Sequence, residues 1–295
     1  MKFAAIDIGT NAARLLVGEV STEEEITTIQ KVSYSRIPLR LGLEVFDNGR
    51  ISESKTQDFI KAMKAFGLIS EIFDVKQLRA CATSAMREAE NGGEVRDLIQ
   101  QETGINIEII TGDVEAELIF GTFFLLDFDK TIPFIVVDVG GGSTEVSVFE
   151  RGERVAAKSF QVGTLRLLKG KTDPNIWTDI HDWLSEHVDI DTVHQIFATG
   201  GNINKTHKIL GGGHMEPLYI HEIQGLRDEL EPMSVKQRIN RYQLKPDRAD
   251  VLVPALEIYL YILKELNCRE IIVPKIGLSD GMIYNMFLRE TGAID

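Results

Sequence analysis

The sequence predicts an α/β protein of two domains with duplicated topology, and three observations predict it. One pattern occurs twice, 131 positions apart: Phe3-Ala-Ala-Ile-Asp7-Ile-Gly9-Thr10-Asn11 and Phe134-Ile-Val-Val-Asp138-Val-Gly140-Gly141-Gly142-Ser143-Thr144. Each copy is an apolar run, the signature of a buried strand, ending in Asp-x-Gly at a turn. A second strand follows each turn, Arg14 to Val20 and Glu145 to Phe149. The repeated unit is therefore a hairpin, not the strand-turn-helix of a Walker loop or a dinucleotide fingerprint. Lastly, 295 residues with 43% hydrophobic and 26% charged side chains suit two domains better than one. The boundary is expected between residues 126 and 127, giving domains 1–126 and 127–295, with the final helix free to pack back on the first.

The remaining elements follow in order. Ile26 to Lys31 reads as a third strand, and Ser52 to Ser70 as a helix from its apolar spacing after a polar start. Gln77 to Ala82 is a strand running into Thr83-Ser84-Ala85-Met86-Arg87, with Ser84 the expected N-cap. Arg87 then falls in a first helical turn, where the helix dipole disfavours a cation unless an anion is near. A surface pair with Glu88 or Glu90 would also explain it. The strand Asn106 to Thr111 leads into a helix through Phe124 that opens on Asp113, Glu115 and Glu117. Acids in a first turn complement the dipole without further purpose, but Glu115 begins a helix just after a strand, the usual place for ligand contacts. The second half repeats this order: hairpin, third strand near Val155 to Gln161, then helices. Arg166 follows that strand, either turned to a ligand or capping a helix. The strand Thr192 to Ala198 precedes Thr199-Gly200-Gly201-Asn202, where paired glycines permit close approach of a ligand or simply make a tight turn. Val251 to Leu266 reads as a long apolar helix, Ile271 to Val273 as a last strand, and Ser279-Asp280-Gly281 as the start of the final helix.

The chemistry these motifs suggest is anion and metal binding. Backbone N–H groups of a Gly/Ser/Thr turn form an anion-binding concavity, and a strand-end Asp can hold a hard divalent cation directly or through water. Two such turns facing each other would clamp one phosphate-bearing ligand between the domains. A net charge of −13 argues against an extended nucleic-acid or membrane surface, so a polyanion must be gripped locally. Two cysteines, Cys81 and Cys268, far apart and without metal-ligand spacing, point to a reducing compartment. Neither a signal segment nor an apolar run of about 20 residues is present, so a cytoplasmic protein is expected.

With both Asp-x-Gly turns, Ala82-Thr-Ser-Ala-Met-Arg87-Glu-Ala, Gly112-Asp-Val-Glu115-Ala and Thr199-Gly-Gly in this order, the chain resembles the exopolyphosphatase/guanosine pentaphosphate phosphatase (Ppx/GppA) family. That family belongs to the superfamily of sugar kinases, chaperone ATPases and actin. The resemblance implies two ribonuclease-H-like (actin-like ATPase) domains flanking a cleft, and hydrolysis of terminal phosphoanhydrides of inorganic polyphosphate or guanosine pentaphosphate. It implies catalytic roles for Glu115, Asp138 and Glu145. Phosphate contacts are expected from Gly9, Thr10, Asn11, Arg14, Ser84, Arg87, Gly140, Gly141, Gly142, Ser143, Thr144, Gly200 and Gly201, and Mg²⁺ on Asp7, Asp138 and Glu145. It further implies a homodimer. The chain departs from the family at Thr10 and Ala12, where serines are usual, at Glu117, where arginine is common, and at Ser279-Asp280, which replaces an Arg-Glu pair. Rival readings are an ATP-binding kinase or actin-like switch, and a sensor that binds phosphorylated ligands without turnover.

Overall fold

A computed structural model describes residues 1–24, 26–192, 194–213 and 215–294. The chain divides into two compact units, Met1–Asp127 with Ile276–Asp295, and Phe128–Lys275. Among the described residues no helix is long and apolar enough to cross a membrane.

The first unit carries strands β1 (Lys2–Ile8), β2 (Ala13–Glu23), β3 (Ile26–Ile37), β4 (Gln77–Ala82) and β5 (Ile107–Ile109) in the sheet order β3-β2-β1-β4-β5. β1, β2 and β3 are antiparallel neighbours, and β4 and β5 extend the sheet in parallel. Its helices are α1 (Leu41–Asn48), α2 (Glu53–Ile72), α3 (Ser84–Glu88), α4 (Gly92–Thr103) and α5 (Gly112–Gly121). The second unit carries β6 (Phe134–Val139), β7 (Thr144–Glu150), β8 (Glu153–Phe160), β9 (Gln195–Thr199), β10 (Pro217–Tyr219) and β11 (Glu270–Ile272), in the order β10-β11-β9-β6-β7-β8. Reversed, the run β8-β7-β6-β9-β11 is the order of the first sheet, with β10 an added antiparallel edge. Both units are thus α/β and share the ribonuclease-H-like strand order. Helices α6 (Thr164–Leu168), α7 (Ile176–His187), α8 (Gly201–Ile209), α9 (Ile220–Leu230), α10 (Val235–Tyr242), α11 (Pro246–Ala249) and α12 (Leu252–Glu265) belong to the second unit. The last, α13 (Leu278–Glu290), packs in the first unit on α5, β1 and β2.

Alternation along the strands sets the layers. In β1 the side chains of Ala4, Ile6 and Ile8 enter a core with Phe59, Met63 and Phe66 of α2. Phe3, Ala5 and Asp7 point the opposite way. On that face α13 comes so close that Gly18 has Ile283 Cδ1 2.8 Å from the position a Cβ would occupy. Helix α2 begins where Ser52 accepts a hydrogen bond from the Lys55 N–H, the capping the polar start predicts.

Several boundaries differ from expectation for identifiable reasons. Helix α1 was not predicted: it opens on Arg40 with φ 54° and no side-chain cap, so the usual start signal is missing. The N-cap of α3 is Thr83 and not Ser84, because Ser84 already has helical backbone and its hydroxyl donates to Glu88 at 2.9 Å. The strand expected from Thr192 begins at Gln195, and Val193 lies outside the described residues. Helix α12 is buried on most sides in the core of its unit, as a helix apolar nearly all round should be.

Candidate functional site

The two hairpin turns have the same architecture. The Gly9 N–H donates to Ala12 O at 3.1 Å, and the Gly140 N–H to Ser143 O at 3.0 Å, closing equivalent four-residue loops. In each unit the helix after the third strand then satisfies the loop's carbonyls. In the first, the Arg40 N–H donates to Asn11 O and the Gly42 N–H to Thr10 O, both at 3.0 Å. In the second, the Thr164 N–H reaches Gly140 O at 3.0 Å, the Leu165 N–H reaches Gly141 O at 2.8 Å, and Arg166 Nε reaches Gly142 O at 2.8 Å. Among the described residues the N–H groups of Gly141, Gly142 and Ser143 donate to no protein acceptor. With the carbonyls tied to α6, these amides form a concavity suited to an anion. Arg166 is 7% exposed, and its Nε holds the Gly142 carbonyl of the turn. Gly163 must be glycine for lack of space: its φ of −148° is ordinary, but a Cβ there would lie 2.5 Å from Gly141 C and Gly142 N.

Register then decides what flanks each turn. In the first sheet one row crosses all five strands: Arg36, Arg14, Asp7, Cys81 and Glu108 are successive cross-strand partners and share a face. Arg14 Nη1 lies 2.5 Å from Asp7 Oδ2, so the carboxylate expected to ligate metal is matched with a cation. Arg79 holds Glu108 through two hydrogen bonds of 2.9 and 2.8 Å. Burial pushes the Cys81 thiol up to about 12, partly countered by Arg79 and reinforced by Glu108, Asp7 and Glu115. A thiol held protonated this firmly is no nucleophile at neutral pH.

The equivalent row in the second sheet has different chemistry. Thr199, Asp138, Glu145 and Ser159 are successive partners. Thr199 Oγ1 donates to Asp138 Oδ1 at 2.7 Å, and Ser159 Oγ donates to Glu145 Oε1 at 2.7 Å. Two carboxylates thus stand side by side, each oriented by a hydroxyl, Glu145 being 4% exposed. Such hard oxygen donors fit a small divalent cation. Below them the Tyr259 hydroxyl donates to Thr199 O and accepts from the Val139 N–H at 3.3 Å, pinning the ends of β6 and β9 together. Its pKa is raised well above the usual phenol value, first by burial and then by Asp138. Sequence reasoning missed Tyr259 because it sits inside an apolar helix, where an aromatic reads as packing. Gly200, at φ 112°, has Val139 O only 2.9 Å from its missing Cβ, and Gly201 lies under the Arg248 guanidinium, with Nη1 2.6 Å from that position.

Glu115 and Arg87 belong to the first unit. The carboxyl ends of its parallel strands are stitched together: the Thr83 N–H donates to Ile8 O at 3.1 Å and the Ile110 N–H to Ala82 O at 2.9 Å. Thr111 caps α5, its hydroxyl accepting from the Val114 N–H at 3.3 Å, and Glu115 stands half-buried in the first turn. Glu117 is exposed on the same helix. Arg87 is not in the surface pair that was one of its readings: Nη1 donates to Ile110 O at 2.6 Å, while Glu90 lies beside Arg50. It therefore braces the segment that launches Glu115. Ser84 directs its hydroxyl to Glu88.

Comparisons with known proteins agree with this architecture. A bifunctional 3-dehydroquinate synthase/phosphatase of Fusobacterium nucleatum is 33% identical over 168 residues, which cover 56% of this chain and 25% of that protein. Exopolyphosphatase 2 of Mycobacterium tuberculosis is 33% identical over 175 residues, covering 56% of this chain and 53% of the relative. The chain thus matches only about a quarter and about half of the length of these relatives. The crystal structure of an exopolyphosphatase from Cytophaga hutchinsonii superposes with a TM-score of 0.82 at 23% identity over 97% of each chain, a likeness of fold. The family model described as Ppx/GppA phosphatase matches residues 19–179, from late in β2 through the second turn and its supporting helix. With that match spanning more than half of its length, the chain belongs to the Ppx/GppA phosphatase family.

Proposed function

We propose that the protein hydrolyses terminal phosphoanhydride bonds, releasing phosphate from inorganic polyphosphate, with guanosine pentaphosphate the alternative substrate. The observation that carries this reading is the second turn, whose three N–H groups are left for an anion beside the Asp138 and Glu145 carboxylates. The names of the relatives, exopolyphosphatases among them, support the substrate class. Glu115 orients water and accepts its proton. Gly9, Thr10, Asn11 and Arg14 of one turn, Gly140 to Thr144 of the other, Arg87, Ser84 and the Gly200-Gly201 turn hold phosphoryl oxygens. Asp138 and Glu145 would hold Mg²⁺, with Asp7, already matched to Arg14, contributing through water. When bound, the ion offsets charge developing on the transferred phosphoryl group. Phosphoryl transfer asks little covalent chemistry of a protein, so positioning and electrostatics suffice for most of the acceleration.

The test compares phosphate release from polyphosphate, guanosine pentaphosphate and ATP, with Mg²⁺ and with chelator. Turnover of the first or second that vanishes on chelation and returns with Mg²⁺ supports the proposal. ATP consumption favouring a phosphorylated acceptor selects the kinase or switch reading. Tight binding of polyphosphate without any turnover selects the sensor.

Arg87→Ala is expected to raise KM by about tenfold or more, since a charge-assisted hydrogen bond contributes roughly 1.5–3 kcal/mol. A smaller fall in kcat should accompany it through loss of the Ile110 brace. Steady-state kinetics check this, and an unchanged KM would confine Arg87 to bracing.

A further inference from the structure

We propose that Gly281 of α13 is a positioning residue that seats α5 and thereby sets where Glu115 stands. The proposal deepens the phosphatase reading and rests on it for the part Glu115 plays. In sequence Gly281 only follows Ser279-Asp280 at the start of the final helix, and nothing local connects it with Glu115.

The contact is between backbones. A Cβ on Gly281 would fall on the Leu118 carbonyl oxygen, 2.5 Å from the Leu118 carbonyl carbon and 3.2 Å from the Ile119 nitrogen, all main-chain atoms of α5. Only a residue without Cβ lets the two helices approach this closely. Leu118 follows Glu115 by three residues in one unbroken helix, so the two are neighbours on its surface, about one turn apart. Whatever displaces the Leu118 backbone carries Glu115 with it.

Helix α13 is itself keyed to the sheet along its length. Lys31 Nζ of β3 lies 2.8 Å from Asp280 Oδ1, while Asp280 Oδ2 accepts the Gly277 N–H at 3.1 Å. One buried carboxylate thus caps the helix and latches it to the edge strand. Lys31 is the cross-strand partner of Gly18, the β2 glycine over which Ile283 sits. Further along, Arg79 of β4 donates to Asn285 Oδ1 at 2.9 Å, and Lys76, just before β4, has its Nζ 2.5 Å from Glu290 Oε1. Contacts reaching β2, β3 and β4 resist both rotation and sliding of α13. A methyl added at position 281 therefore displaces α5, the partner without such latches to the same strands.

The experiment uses the intact chain, with initial rates measured on polyphosphate with Mg²⁺. Gly281→Ala should move α5 by roughly 1 Å, a misplacement that costs on the order of 10²-fold in kcat when it shifts a catalytic group, with KM little changed. On a Glu115→Gln background the same change should cost less than about threefold, because the group it misplaces is already gone. A merely structural role would lower both backgrounds by the same factor, and that result, or no loss in either, overturns the proposal. Gly121→Ala is the control. It adds a methyl to α5 itself, where Tyr284 Cδ1 of α13 lies 4.0 Å from the Cβ position, and kcat should stay within about twofold. Should Gly281→Ala fail to fold, Lys31→Met tests the same path by releasing the Asp280 latch. It should lower kcat about three- to tenfold on the wild-type background and leave Glu115→Gln unchanged, and an equal loss in both or none overturns the proposal. Crystal structures of Gly281→Ala and Gly121→Ala give a readout independent of turnover. Displacement of α5 against β4 in the first alone keeps the seat even if wild-type protein releases no phosphate from any substrate, which removes the hydrolase reading. Polyphosphate turnover with α5 unmoved does the reverse.

Discussion

Glu115→Gln is expected to lower turnover by about 10² to 10⁴-fold, the range attributed to a positioned general base, with KM changed only modestly. The substitution is nearly isosteric and leaves the Thr111 cap in place, so the fold of α5 should survive. Glutamine can still orient a water molecule through hydrogen bonds but cannot take its proton. If the water arrives already deprotonated, the loss should shrink as pH rises, and a pH–rate profile of both proteins would show it. A melting curve superimposable on wild type would tie the effect to chemistry. Near-wild-type phosphate release would remove Glu115 from the role, leaving it as one of the acids that favour a helix start.

Gly163→Ala should produce the other large effect, from a residue that touches no substrate. The added methyl would meet Gly141 C and Gly142 N at 2.5 Å and Gly141 O at 2.6 Å, all backbone, so the turn must move. Moving it breaks the bonds from Thr164, Leu165 and Arg166 that hold its carbonyls back and aim its amides outward. Losing one preorganised donor of this kind costs about 10² to 10³ in kcat, and overpacking adds about 1–3 kcal/mol of destabilisation. Gly93→Ala is the control, since nothing lies within 4 Å of its Cβ position. Full activity in Gly163→Ala, measured on polyphosphate, would mean that the turn's exact placement is unimportant to the reaction.

Much of the fold was legible because the hairpins carry strong local signals. An apolar run that stops at Asp-x-Gly reads as a strand entering a turn, and its recurrence at fixed spacing announces a duplicated unit. Strands β4, β6 and β7 and helices α2 and α12 emerged within a few residues of their expected limits. What failed locally did so where tertiary contacts replace local signals. Helix α1 has no side-chain cap because its first N–H groups are satisfied by the carbonyls of Thr10 and Asn11, thirty residues away in sequence. Arg166 was ambiguous because nothing local in the sequence shows that it packs buried against Gly142. The long apolar helix α12 hides Tyr259 among ten buried residues, and only a three-dimensional neighbour tells its hydroxyl from packing.

By itself, then, the chain's order of residues settled the duplicated strand sequence and the location of two carboxylate-tipped turns, because continuous apolar runs and glycine turn chemistry act over a few residues. Which side chain stands beside each carboxylate was decided by strand pairing. Across β1 and β2 the partner of Asp7 is Arg14, while across β6 and β7 the partner of Asp138 is Glu145. Two copies of one motif thereby acquire different electrostatic character, one row in which two arginines match two carboxylates and one row with two carboxylates and no arginine, since a ladder brings together residues seven positions apart that no local rule connects.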